Sequence, residues 1–348
     1  MKPWGPATND FDTALHHLKL AVATVPTPPR AAPEIARTND WALPRDTLNF
    51  LDALSDVVEP HHVLEFGSGN STLMFARANR RTGRQCEITS VEHDPRYAKH
   101  TIQRLEQEGL ALMANVLFAP LGVKKYGDSL LPAYHLDNVK INTSPADLIL
   151  IDAPPEILGG REGILYQAME FARRGTIVLL DDANRVSERK AVQRWERTFG
   201  DLITTIQIDA LTRPLAAIVI GTPVTADALW NHNVRTAISE IVREVPPRAQ
   251  LLLADENAWG TGEEIDGRRT YHFSEADSSY AGGPPADSAA AIARIDDHRA
   301  RGIQFLVLGA PAFWWLEHYK ALHEYISTNA TQIFESPRVV IFRFDIPN

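Results

Sequence analysis

His61-His62-Val63-Leu64-Glu65-Phe66-Gly67-Ser68-Gly69-Asn70-Ser71-Thr72 is the stretch that decides the fold. A short apolar run carries one acid, Glu65, and breaks into Gly67-Ser68-Gly69. Asn70, Ser71 and Thr72 can cap a helix, and the apolar run Leu73-Met74-Phe75 follows them. The pattern predicts strand, tight glycine turn and helix, which brings backbone amides against an adenosine-containing ligand. Side chains in place of the glycines would hold such a ligand off the backbone. Many nucleotide folds share a loop of this kind and some glycine turns bind nothing, so its neighbours have to sharpen it.

Outward from this stretch, strands and helices alternate. Strands are expected at Val63–Phe66, Ile88–Glu92, Val116–Ala119, Leu148–Asp152, Ile177–Asp181, Leu202–Ile208 and Leu215–Ile220. Asp94-Pro95 reads as an N-cap followed by proline at the first helical position, with Gly109 closing that helix. Gly175 reads the same way after a helix spanning Glu162–Arg174. Apolar strands alternating with helices imply an α/β fold with a mostly parallel sheet covered on both faces. The last two strands follow each other as a terminal antiparallel hairpin, which makes seven.

Upstream, a short helix (Asp12 to Leu20) leads into a proline-rich linker from Val25 to Pro33. The organisation expected is therefore 1–40 as helix and linker, 41–222 as the main α/β domain and 223–348 as a second, smaller α/β domain. The second domain reads as helix Ala226–Glu244, strand Gln250–Ala254, a long loop Asp255–Ala286, helix Asp287–Arg301 and strand Ile303–Leu308. Helix Ala312–Ser327 and strands near Thr331–Phe334 and Val339–Phe344 complete it. A loop as long as Asp255–Ala286 suggests a lid.

Composition narrows the class. The 348 residues are 44% hydrophobic and 23% charged, as in ordinary globular proteins, and long enough for two cores. A net charge of −9 without a long Lys/Arg run argues against a nucleic-acid partner. Met1–Pro6 lacks an apolar signal core and no uninterrupted span has membrane length, so no membrane partner is expected. A single cysteine, Cys86, fits a reducing cytoplasm.

Ser90-Val91-Glu92-His93-Asp94 ends the second strand. A carboxylate there, one strand over from the glycine loop, is placed to accept from both ribose hydroxyls, and Glu92 is the candidate. Asp94 is expected to cap the next helix, and His93 to lie near an adenine edge or in solvent. Together with Asp147-Leu148-Ile149-Leu150-Ile151-Asp152, these motifs resemble, in order, those of class I S-adenosylmethionine-dependent methyltransferases over about Trp41 to Gly221. A Rossmann dehydrogenase is disfavoured because Thr72 stands at the third glycine of G-x-G-x-x-G and a strand pair closes the domain. The resemblance implies a Rossmann-like sheet with S-adenosyl-L-methionine held by Glu65, Gly67, Ser68, Gly69, Asn70, Ser71, Thr72, Glu92, His93 and Pro120. Glu65 would lie near the methionine moiety, Glu92 on the ribose and Pro120 beside the adenine.

Asp152 ends the fourth strand and Asp181-Asp182 the fifth, so three carboxylates meet on one rim. Such a cluster suits Mg²⁺ as Asp152, Asp181 and Asp182 ligands, or Asp152 acts as a general base; the sequence leaves both open. The pattern resembles metal-dependent O-methyltransferases, including those acting on sugars of natural products, but departs from them at Ala153-Pro154-Pro155 and Ala183-Asn184-Arg185. Tyr126, expected in the loop Lys124-Lys125-Tyr126-Gly127, could wall a sugar ring, and Arg161 or Arg185, in the loops after these strands, could bind an acidic group. Phe313-Trp314-Trp315-Leu316-Glu317-His318-Tyr319 reads as core and interface packing, in a region that resembles a module of bacterial glycan assembly. The expected function is O-methylation of a sugar, glycan precursor or glycosylated small molecule, in a chain that could form a homo-oligomer. N- or C-methylation without metal, or a non-catalytic binding role, are the alternatives.

Overall fold

The computed structural model describes residues 11–25, 43–126, 129–137, 139, 141, 144–273, 275–276, 279–280 and 284–344. Most of the proline-rich linker and the tip Gly127-Asp128 lie outside them. The chain divides into two compact units, Met1–Ala226 and Asp227–Asn348.

The first unit contains α1 (Phe11–Ala23), α2 (Arg45–Val58), β1 (His62–Phe66), α3 (Asn70–Thr82), β2 (Glu87–Glu92), α4 (Pro95–Gln107) and β3 (Asn115–Phe118). It continues with β4 (Leu121–Tyr126), β5 (Ser129–Tyr134), β6 (Ala146–Ile151), α5 (Glu162–Ala168), β7 (Ala172–Leu180), α6 (Val186–Phe199), β8 (Ile203–Ile208) and β9 (Leu215–Ile220). Seven strands form one sheet in the order β3-β2-β1-β6-β7-β9-β8. Its first five are mutually parallel, and β9 runs antiparallel to both β7 and β8. This is the expected Rossmann-like sheet with a terminal hairpin.

Alternation along the strands builds the layers. Val63, Leu148, Leu150, Ile177 and Leu179 face a core shared with Leu18, Leu51 and Leu54 of the first two helices. Helix α1 places Ala14, Leu18 and Ala21 on one buried stripe, so it packs on the unit rather than standing apart from it. Burying Leu18 alone contributes about 2 kcal/mol. Cys86 sits at the edge of this core, and burial pushes its thiol up to about 12.

Two expectations need correction. The helix from Glu162 ends at Ala168, and a 3₁₀ turn then leads into β7 at Ala172. Arg173 belongs to that strand, where its guanidinium pairs with buried Asp147 and its amide donates to Thr176 Oγ1 at 2.8 Å. Gly175 therefore closes no helix. The segment around Tyr126 forms the hairpin β4–β5, separate from the main sheet.

In the second unit, α7 (Ala226–Glu244), β10 (Gln250–Ala254), β11 (Glu264–Ile265), β12 (Arg268–His272), β13 (Glu275–Ala276), β14 (Ser279–Tyr280), α8 (Ser288–Ala300) and β15 (Phe305–Gly309) precede α9 (Trp314–His318), α10 (Lys320–Asn329), β16 (Ala330–Glu335) and β17 (Val339–Phe344). Six strands pair in the order β11-β12-β10-β15-β17-β16. Leu251, Leu253 and Val307 face α7, whereas Leu252, Leu306 and Leu308 face α8 and α10. The stretch expected as one long loop thus contributes β12 to the sheet, parallel to β10. Trp315 is core, as expected, while Trp314 is partly exposed; both indoles donate to Glu256 Oε1 at 2.8 Å. No helix among the described residues is long and apolar enough to cross a membrane.

Candidate active site

Chain crossovers leave β1 toward β2 and β3 on one side and toward β6 and β7 on the other. A doubly wound sheet opens its ligand crevice at such a switch point, beyond the carboxyl ends of the strands. Here those ends line a cavity of about 480 Å³.

The glycine loop forms one wall. Gly67 and Gly69 have φ of +107° and +154°, which only glycine adopts without strain. A Cβ on Gly67 would stand 3.2 Å from Cβ of Ala153, closer than ordinary van der Waals contact, so the end of β6 packs tightly on the glycine loop. Thr72, at the third-glycine position, points away from the cavity. Its Oγ1 accepts from Gly69 N at 3.1 Å and lies 3.1 Å from Ser90 Oγ, which in turn donates to Glu65 Oε2 at 2.5 Å. Burial pushes the Glu65 carboxyl up, opposed by the Ser71, Ser90 and Thr72 hydroxyls.

Glu92 closes the next wall at the end of β2. Its Oε2 accepts from Ser68 N (2.9 Å) and Ser68 Oγ (3.1 Å), and its Oε1 from His93 N (2.8 Å) and Asp94 N (3.0 Å). Burial pushes this carboxyl up, but the His93 ring and the Asp94 and Ser68 amides outweigh it and hold it below the usual carboxylate range. Asp94 caps α4 through Arg96 N, as expected; with the Arg96 guanidinium beside it, its carboxyl falls to about 2. Asn70 is fixed by Arg104 Nη1 at 2.8 Å.

The far wall carries the aspartates. Asp152 and Asp182 line the cavity, and Asp181 lies fully buried beside them; one oxygen from each falls within 4.8 Å of the others. Arg161 reaches all three. Its Nη2 is 3.2 Å from Asp152 Oδ1 and 3.2 Å from Asp182 Oδ2, and its Nη1 donates to Asp181 O at 2.6 Å with Asp181 Oδ2 at 4.0 Å. Asp182 sits in the left-handed region (φ +57°), where Arg185 Nη2 at 2.9 Å and Arg213 Nε at 3.8 Å also face it. Hard oxygen donors in this number suit Mg²⁺ chemically. A buried guanidinium, however, already touches the donors and is anchored on a backbone carbonyl, so the cation does not fit while Arg161 stays in place.

No donor among the described residues reaches the Asp181 carboxylate oxygens within hydrogen-bond distance. Burial, then the Asp152 and Asp182 charges, push it up to about 9 against the pull of Arg161. A carboxyl raised above its unfolded value near 3.9 stabilises the fold fully at low pH and ceases to do so as pH rises through its folded value. Wild-type stability in urea should therefore fall between pH 6 and 8 by about 2 kcal/mol more than that of Asp181→Asn. Parallel pH profiles for the two proteins would refute the assignment.

Of the residues expected from sequence, Gly67, Ser68, Gly69, Asn70, Ser71, Glu92, His93, Asp152, Arg161, Asp182 and Arg185 line this one cavity. Glu65, Thr72 and Asp181 stand behind its lining, and Pro120 is not part of it. Tyr126 is a correction: it is buried in β4 and stacks on Tyr166 at 4.9 Å, so it offers no wall to a ligand. Arg213 was missed. The β8–β9 turn that carries it must lie at the rim of β7, because β9 runs antiparallel to that strand, and Ala183 N donates to Pro214 O there at 2.8 Å.

Known proteins resemble this chain in sequence. Residues 64–183 match the model of a family described as a methyltransferase domain. A catechol O-methyltransferase of Mycobacterium tuberculosis (strain ATCC 25618 / H37Rv) is 26% identical over 200 residues, covering 51% of this chain and 82% of that protein. Among solved structures, an O-methyltransferase from Bacillus cereus in complex with SAH is 17% identical and covers 60% of this chain and 90% of its own, at a TM-score of 0.40. A cofactor-bound protein from MTB is 22% identical at the same coverage and a TM-score of 0.40. The domain match spans the glycine loop, Glu92 and all three aspartates, and with the order of the sheet it identifies the first unit as a class I S-adenosylmethionine-dependent methyltransferase domain.

Proposed function

We propose that this protein transfers the methyl group of S-adenosylmethionine to a hydroxyl oxygen of a small vicinal-diol acceptor, with Asp152 as general base. The observation that carries the reading is the Asp152 carboxylate, 25% exposed, on the wall of the same cavity that the glycine loop and Glu92 line. The cofactor would lie along Gly67–Ser71, its ribose diol on Glu92 and its adenine near His93. The acceptor oxygen attacks the methyl carbon in line, the carbon–sulfur bond breaks, and the sulfonium becomes a neutral thioether. The acceptor's proton passes to Asp152, whose carboxyl burial pushes up while Arg161 opposes it. Of the two ways an aspartate cluster can serve the acceptor, the ion pairs of Arg161 support the base rather than a bound Mg²⁺.

Sugars and catechols share the vicinal diol, which keeps the carbohydrate acceptor expected from sequence within the proposal. The similarity to a protein named catechol O-methyltransferase supports the aromatic arm. Exposed Ile157 and Leu158 at the cavity mouth suit an apolar acceptor face. Arg185 and Arg213 beside them would accommodate an anionic substituent. The second unit would select the acceptor or mediate self-association, in a cytoplasmic enzyme without nucleic-acid or membrane partners. Calorimetric titration with S-adenosylhomocysteine should give micromolar binding, followed by methyl transfer to members of a sugar and catechol panel. A folded protein that binds neither S-adenosylmethionine nor its product would overturn the reading.

A further inference from the structure

We propose that Arg161 stands in for the divalent cation of this aspartate rim, so that the site works without metal and hides a metal-binding site that only loss of Arg161 exposes. The inference deepens the reading of Asp152 as base and rests on it for its catalytic consequence alone.

Three observations place the guanidinium in that role. One nitrogen, Nη2, bridges Asp152 and Asp182 at 3.2 Å each, which is where an ion shared by the two strand ends would have to sit. The other, Nη1, donates to the main-chain oxygen of Asp181 at 2.6 Å. Swinging the side chain out would therefore cost a buried backbone hydrogen bond as well as the ion pairs to three aspartates. Finally, Arg161 is only 5% exposed at the cavity wall, so the carboxylates rather than water balance its charge. A guanidinium stranded there beside a dication would be an uncompensated buried charge, which costs several kcal/mol.

The local sequence supports this placement. Gly159 and Gly160 have φ of +98° and +77°, and they turn the chain sharply after the 3₁₀ turn Glu156–Leu158. Arg161 then occupies the N-cap of α5, where its backbone carbonyl accepts from Ile164 N at 3.1 Å. Gly163 packs with no room for a Cβ, which would lie 2.1 Å from the Pro132 carbonyl oxygen. The start of α5 is thus wedged against β5, and Arg161 is delivered inward by a fixed backbone. A planar fork gives this residue something an ion lacks, since it aligns Asp152 in one orientation and takes no ligand from the acceptor. Arg161 is accordingly a positioning residue for Asp152, and the two other arginines complete the charge balance on Asp182.

The test is Mn²⁺ binding, read by electron paramagnetic resonance and by the metal-dependent shift in Tm, on the wild-type chain, Arg161→Gln and Arg161→Lys. Wild type should bind Mn²⁺ no better than millimolar and unfold at the same temperature with EDTA or Mg²⁺. Arg161→Gln removes the cation that bridges Asp152 and Asp182 and leaves Arg185 and Arg213 on Asp182 alone, so it should gain at least about tenfold in Mn²⁺ affinity and be stabilised by Mg²⁺. Arg161→Lys keeps a charge in place and should stay blind to metal. Micromolar Mn²⁺ binding by wild type, which needs no variant to fold, would overturn the proposal; so would an Arg161→Gln protein that folds without gaining affinity. Loss of S-adenosylhomocysteine binding in wild type would instead strike at the proposed function, which keeps the two failures apart.

Discussion

Asp152→Asn should lower kcat/KM for methyl transfer by about 10²- to 10⁴-fold while changing affinity for S-adenosylhomocysteine little. The amide keeps the shape and one acceptor oxygen of the carboxylate, so the ion pair with Arg161 is reduced to a hydrogen bond and the cavity is nearly unchanged. It cannot take a proton. With the base gone, the acceptor hydroxyl must attack as the neutral alcohol or wait for its rare ionised form. Acceptors of lower pKa should then suffer less, and a catechol should retain more rate than a sugar in the variant. The product-binding measurement matters because the glycine loop and Glu92 lie on the other walls of the cavity. A variant that methylates at the wild-type rate removes Asp152 from the chemistry. One that loses product binding as well shows that the substitution has reached the cofactor's side of the site.

What the sequence made legible follows from which interactions are local. The glycine loop declares itself through backbone conformations that only Gly67 and Gly69 can hold, and β1, β6 and β9 through largely apolar runs buried on both faces. Asp94 caps α4 through a contact two residues away, so three letters suffice to find it. The aspartate rim was legible because parallel neighbours end together. Long-range pairing is where reading along the chain stops. Helix periodicity past Ala168 is overruled by Arg173, whose partner Asp147 is on the adjacent strand. Tyr126 reads as an exposed loop aromatic only until Ser129–Tyr134 folds back on it. Arg161 looks like a loop cation free to greet a substrate, and nothing nearby in sequence reveals that three carboxylates from two strand ends converge on it. The same carboxylates, seen without it, call for a metal.

Glu92→Ala should weaken S-adenosylhomocysteine binding by about 100-fold, the worth of hydrogen bonds from two hydroxyls to one charged acceptor. Its effect reaches further than the ligand. In the structure the Glu92 carboxylate takes the main-chain N–H groups of Ser68, His93 and Asp94 together with the Ser68 hydroxyl, so one side chain ties the glycine loop to the end of β2. Ribose hydroxyls approaching it compete with Ser68 Oγ, the one side-chain hydroxyl on the carboxylate, and Thr101 Oγ1 at 3.2 Å offers that hydroxyl another partner. Truncation therefore frees three amides, and water in the open cavity satisfies them only in part. A loss of about 2 kcal/mol in stability is expected without any ligand present. Glu92→Gln keeps the acceptor oxygen and should fall between wild type and alanine in both measurements. The pH dependence has the opposite sign to that of Asp181. A carboxylate held below its unfolded value stabilises the fold above about pH 4.5 and stops doing so as pH falls through its folded value, so the deficit of Glu92→Ala should shrink on acidification. If Glu92→Ala binds the product as tightly as wild type, the ribose is held elsewhere. If it binds weakly but unfolds like wild type, the loop does not depend on this carboxylate and only the ligand does.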